Sequence, residues 1–305
     1  MSIRRRSILK ALPYLWLGAD MRALPLSAPD PGNIFFEKGN LANSLPYSVV
    51  TGKSSRALSI NPSEDTLIMI CAGQSLATNS ITDTFTPTNG SKLDNLAWYD
   101  GTNWAATTPL LGTSWGGTVG TSVNFNHKIA DGIISNGKFD RVIIVAVALP
   151  GTPISYHITD YIGGEPAGYY RMIQAAAKKL AAQGVRPGTP GVKFLLKWNQ
   201  GESDTQQFTT QSAYTAYFNT LMALCAIDLP GVPWMVAKET RYLGVNSGAV
   251  QAAQLALVNG TTIFAGENMD SIGSSGRIGD DTHLNATGGG LAATMGIAAI
   301  TAISF

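Results

Sequence analysis

The chain has 305 residues, 45% hydrophobic and only 13% charged, with a formal net charge of +1. That is enough apolar matter for a substantial core, in one large α/β domain or two ordinary ones. The near-zero balance leaves no basic face for nucleic acid and no acidic tail, so Thr, Ser, Asn and Gly must carry the polar surface; this suits a protein working outside the cytoplasm on a neutral polar ligand such as a sugar.

In chain order, Arg4-Arg5-Arg6-Ser7-Ile8-Leu9-Lys10, the short apolar stretch Ala11 to Ala19 and Leu26-Ser27-Ala28 have the pattern of a twin-arginine export signal with a cleavage site. Residues 1–28 are therefore expected to direct the protein to the periplasm or out of the cell. Pro13, Asp20 and Arg22 work against this, and a basic, frayed N-terminus is the alternative. No other segment approaches the roughly 20 apolar residues of a membrane helix, so no membrane insertion is expected. Residues 29–63 are turn-rich, with Pro29, Pro31, Gly32, Gly39, Asn40 and Pro46, and read as a lead-in to a domain over 64–305.

Apolar runs then recur at Thr66 to Cys71, Arg141 to Leu149, Val192 to Trp198, Pro233 to Lys238 and Thr262 to Ala265, as expected of strands buried on both faces. Between them, helical spacing covers Tyr169 to Gln183, Ser212 to Ala226 and Gly248 to Asn259, with Gly184 and Gly260 as stops, and a last helix covers Ala286 to Ile300. This rhythm predicts an α/β fold of three layers, α/β/α, around a five-stranded parallel sheet with right-handed crossovers, and no second core is evident. Leu76 to Ser114 breaks the rhythm and reads as a long loop; its Trp98, Tyr99 and Trp104 are expected to pack against the sheet, with stacking on a sugar ring as the alternative. Cys71 lies in a strand and Cys225 in a helix; both are expected to be buried free thiols, and no metal or other cofactor is expected.

Three short strings hold the chemistry. In Gly73-Gln74-Ser75 a tight turn after the first strand projects a hydroxyl where a helix begins, a position fit for a nucleophile but equally for a helix cap. In Asp280-Asp281-Thr282-His283 the sequence offers a base. Of three histidines, His127 falls in a helix and His157 in a loop, while His283 alone has an acid three residues before it; Asp280 can hold the imidazole so that Nε2 faces a serine. Asp281 is the competing acid. In Gln200-Gly201-Glu202-Ser203-Asp204, Gln200 can donate to an oxyanion, or it and Glu202 can satisfy turn backbone while Ser203 and Asp204 open a helix.

Taken in chain order, with Trp198-Asn199 before the Gln200 string and Leu284 after the Asp280 string, the strings resemble the SGNH hydrolases. The likeness is to their carbohydrate-esterase branch of sialate O-acetylesterases and plant-type acetylxylan esterase relatives, and runs from about Thr66 to the C-terminus. The resemblance implies the flavodoxin-like SGNH fold, Ser75 as nucleophile, Asp280 and His283 as its partners, and an oxyanion hole of Ser75, Gln200 and a glycine, either Gly120 or Gly151. Gln74 and Glu202 are further candidates for that hole or the pocket. Leu76, Pro150 and His157 depart from the family pattern and are expected to alter the pocket wall. The expected function is removal of O-acetyl groups from an acetylated carbohydrate through an acyl-enzyme. Transfer of the acyl group to a sugar, or an idle carbohydrate-binding protein on the same fold, are the alternatives.

Overall fold

Leu67-Ile68-Met69-Ile70-Cys71-Ala72 presents apolar side chains to both faces, so it can be satisfied only inside a sheet covered on both sides. In the structure, a computed structural model describing residues 55–77, 85–97, 102–105, 125–159, 161–162, 165–166 and 168–305, this segment is the heart of β1 (Thr66–Gly73), buried at every position. The export pattern at 1–28, most of the lead-in, Trp98, Tyr99 and Gly120 lie outside the described residues.

The elements that follow are β2 (Leu93–Leu96), β3 (Asn103–Ala105), α1 (Phe125–Ser135), β4 (Arg141–Ala148), α2 (Ile154–Ile158), and a small hairpin of β5 (Tyr161–Ile162) and β6 (Glu165–Pro166). Then come α3 (Tyr170–Ala182), β7 (Val192–Asn199), α4 (Glu202–Gln206), α5 (Gln211–Cys225), β8 (Trp234–Lys238), α6 (Gly248–Leu257), β9 (Ile263–Asn268) and α7 (Ala286–Ala302). The main sheet runs β3-β2-β4-β1-β7-β8-β9, parallel except for β3. One face is covered by α3, α5 and α6, through side chains such as Met172, Phe218 and Leu257; the other by α1 and α7, through Phe125, Ile129 and Ile300. This is the three-layer α/β/α arrangement expected. No helix among the described residues is long and apolar enough to cross a membrane.

The strand count needs correction. The sheet has a sixth parallel strand, β2, with β3 antiparallel at its edge, both inside the stretch read as a loop, and Trp104 lies on β3 opposite Asn95. The strand is hidden because half of Leu93-Asp94-Asn95-Leu96 is polar, yet all four residues are buried. Asp94 is neutralised by Arg56 and Arg141, and Asn95 Oδ1 lies 3.0 Å from His127 Nε2 on α1. Partners on other elements make these polar side chains compatible with the interior.

Cys71 and Cys225 are buried free thiols, and burial pushes the Cys71 thiol up to about 12. At the carboxyl end of β1, Gly73 adopts φ +129, and a Cβ there would stand 1.8 Å from the carbonyl oxygen of Asn199 on β7. Gly73→Ala must therefore force apart two central strands as well as strain its own backbone. It is expected to cost about 3 kcal/mol or more, read as a lower denaturant midpoint.

Candidate active site

β1, β4 and β7 end at one level, Gly73 pairing with Ala148 on one side and Asn199 on the other. The turns after these three strands consequently meet at the carboxyl edge of the sheet, where open parallel sheets gather reactive groups. Gln74 N donates to Asn199 O at 2.9 Å and Leu149 N to Gly73 O at 3.1 Å, which locks the turn carrying Ser75 between its neighbours. Ser75 begins a 3₁₀ turn, Ser75–Ala77, and residues 78–84 beyond it lie outside the described residues.

His283 arrives from the opposite end of the sequence, on the loop between β9 and α7. Its Nε2 lies 2.9 Å from Ser75 Oγ, and its Nδ1 lies 2.5 Å from Asp280 Oδ2. The other oxygen of Asp280 accepts from the backbone N–H of Thr282 and of His283, each at 2.9 Å. Burial works to raise the Asp280 carboxyl, but the hydrogen bonds from His283 and these two amides outweigh it and hold it below the usual carboxylate range. An ionised Asp280 keeps the proton of His283 on Nδ1, leaving Nε2 to accept from the serine hydroxyl.

The competing acid points elsewhere. Asp281 sits at φ +50, and its carboxylate takes two bonds from Arg241, at 2.8 and 3.3 Å, and one from Ser274 Oγ at 3.1 Å. Its carboxyl is likewise held low, first by Arg241. On the inner side of the loop, buried Arg277 donates to the carbonyl oxygens of Met269, Ile272 and Thr282. Arg241 and Arg277 thus hold the His283 loop from outside and inside. Arg241 was not singled out from the sequence; its position just past the end of β8 is the signal that could have marked it.

The glutamine string is buried beneath the serine. Gln74 Oε1 accepts from Gln200 Nε2 at 3.2 Å, Ser203 N at 3.2 Å and Gly201 N at 3.5 Å, so the first two strings are bonded into one body. Gln200 is fully buried; its Nε2 also donates to Thr152 O at 3.1 Å and to Asp204 Oδ2. Asp204, expected to open a helix, accepts as well from Ile154 N at 2.8 Å; burial raises its carboxyl, against these bonds. Asp204 thereby joins α4 to α2.

Gly151 occupies the exposed turn after β4 with φ +71. Leu76 and His157, expected at the pocket wall, are instead buried packing residues. Leu76 belongs to the apolar cluster under α1 and α7, while the His157 ring meets Trp198 edge-on at 4.9 Å and lies 3.2 Å from Thr152 Oγ1. Burial lowers His157 to about 3, so it is a neutral ring. Of the three departures from the family pattern, only Pro150 is exposed.

Fold and strings together define a hydrolase of the SGNH type. A family model described as carbohydrate esterase, sialic acid-specific acetylesterase, matches residues 65–298, and the chain belongs to that family. It is accordingly a hydrolase acting on ester bonds. Among solved structures, a protein of Arabidopsis thaliana is similar at 19% identity and a TM-score of 0.56, covering 77% of this chain and 95% of its own. The protein NanS is similar at 16% identity and a TM-score of 0.54, covering 78% of this chain and 97% of its own. At such identities these two likenesses speak to the fold. Comparison with curated proteins gives no significant match.

Proposed function

We propose that the protein is a serine esterase that removes O-acetyl groups from a carbohydrate through a covalent acyl-enzyme. The observation that carries this reading is the chain of contacts from Ser75 Oγ to His283 Nε2 at 2.9 Å and from His283 Nδ1 to Asp280 at 2.5 Å. Ser75 Oγ forms a bond to the acetyl carbonyl carbon while its proton passes to His283 Nε2. The bond from that carbon to the sugar oxygen then breaks, and the imidazolium returns the proton to the departing alkoxide. Water, deprotonated by the same nitrogen, attacks the acetyl-serine; acetate leaves and Ser75 recovers its proton. Asp280 stabilises the imidazolium throughout.

The oxyanion falls to the backbone N–H of Ser75 with Gly120 or Gly151, as the family resemblance implies. Both hydrogens of Gln200 Nε2 are already taken up among three buried acceptors, so Gln200 can join them only by leaving some of these, and we give it the secondary part of holding Gln74 and the turn. In the same reading, the twin-arginine pattern at residues 1–28 assigns the protein to the periplasm or the outside of the cell, where acetylated polysaccharides are met.

The test is labelling by a fluorophosphonate, followed by peptide mass spectrometry and a screen of acetylated xylan, pectin, sialic acid and peptidoglycan fragments for acetate release. Modification of Ser75 with acetate liberated from at least one glycan is expected. An unlabelled Ser75 would leave an idle binding protein, and acetyl found on an added sugar acceptor in place of free acetate would leave an acyltransferase.

A further inference from the structure

Glu202, the first residue of α4, and Glu239, the residue after β8, are both buried, and their carboxyl groups are close enough to act on one another electrostatically. Among the described residues, no donor from another residue bonds either oxygen of Glu202 or Oε1 of Glu239; Glu239 Oε2 accepts from Asn199 Nδ2 at 2.7 Å. Ionised carboxylates only accept, so two of them buried side by side with three oxygens lacking a donor from another residue call for a proton. The neighbouring charges supply no substitute. On β7, Lys197 is paired with Glu267 of β9 at 3.0 Å and also donates to Asn199. Arg277 is committed to three carbonyl oxygens, Asp204 to Gln200 and Ile154, and Asp270 to Thr240, Gln251 and the backbone of Arg241.

The pair lies where the two halves of the site join. Gly201, between Gln200 and Glu202, passes so close to β8 that a Cβ on it would stand 1.9 Å from Glu239 O. Gln254 of α6 bridges the same segments, donating to Gln200 O at 2.8 Å and Glu239 O at 3.1 Å and accepting from Glu239 N at 3.0 Å. Two residues beyond Glu239 stands Arg241, which clamps the His283 loop.

We propose that Glu202 and Glu239 share one proton, and that this bond is a positioning device fastening the Gln200–Gly201 turn to the segment that carries Arg241. The functional part of this statement rests on the esterase reading above. The device has a pH sense. Burial raises both carboxyls, Glu239 to about 7 and Glu202 well above its ordinary value; the charge of Glu239 adds to the rise at Glu202, while the bonds from Asn199 and Glu202 hold Glu239 back. Because the folded values exceed the unfolded one, the stability contributed is full below about 4.5 and is lost as pH rises, for Glu239 through about 7.

The experiment is thermal unfolding of the full chain across this range, for wild type, Glu239→Gln and Glu202→Gln. The wild-type midpoint is expected to fall by about 3–5 °C per pH unit in that window, and each carboxamide, which keeps the shape and donates without titrating, is expected to flatten the fall. A slope unchanged in both variants would overturn the proposal. Should neither variant fold, the infrared spectrum of the wild type at neutral pH decides: a protonated-carboxyl band supports the shared proton, and its absence overturns it. Unfolding needs no turnover, so an inactive enzyme with the expected slopes would sink only the esterase reading.

Discussion

Ser75→Ala is expected to lower kcat on an aryl acetate by on the order of 10⁶ while moving the thermal midpoint by no more than about 2 °C. The size follows from how the groups act. A nucleophile, its base and the acid behind the base form one unit, and removing the serine leaves the other two nothing to activate, so almost the entire advantage of the arrangement disappears at once. The stability effect is small because a nearly buried hydroxyl is exchanged for hydrogen at a turn secured by Gly73, Gln74 and Asn199 backbone. Hydrolysis rates and circular-dichroism melting on the same preparation separate the two effects. A variant retaining wild-type turnover would end the assignment of Ser75.

Asp280→Asn is expected to lower kcat by about 10⁴, whereas Asp281→Asn should cost no more than about tenfold. Both changes remove one charge from adjacent positions, so they differ only in where each carboxylate points. Asp280 faces His283 Nδ1 at 2.5 Å; an amide there can turn its NH₂ to the ring, place the imidazole proton on Nε2 and leave no base for the serine. Asp281 faces Arg241 on the outer side of the loop, a partly exposed ion pair of modest worth. Steady-state rates of the two variants at one pH provide the comparison, and equal losses would show that the direction of the carboxylates does not set their roles.

Much of this fold is visible in the chain because its strands are buried on both faces and its helices on one. Each central strand is a short apolar run with Gly or polar residues after it, and the observed ends of β1, β4, β7, β8 and β9 fall within a few residues of those runs. β2 escapes because its interior is Asp94 and Asn95, whose acceptability depends on Arg56, Arg141 and His127, partners distant in sequence. The site shows the same division. Ser75, Asp280 and His283 announce themselves by residue type and spacing. What Gln200 touches does not: an amide at a strand end can face solvent, substrate or protein, and only the positions of Gln74, Thr152 and Asp204 turn it inward. Glu239 and Arg241 are single charged residues in a featureless string, and their roles appear once Glu202 and Asp281 are placed beside them.

Gln74 draws the serine's turn and the 200–203 segment into one rigid body rooted in the middle of the sheet, while His283 hangs from a peripheral loop fastened by two arginines. The distance between Ser75 Oγ and His283 Nε2 is thus a seam between separately supported parts. A seam of this kind yields before the walls do: warming or mild denaturant that loosens the 277–284 loop would silence the enzyme while its sheet still stands. The same separation lets substitutions around Arg241 adjust His283 without disturbing Ser75.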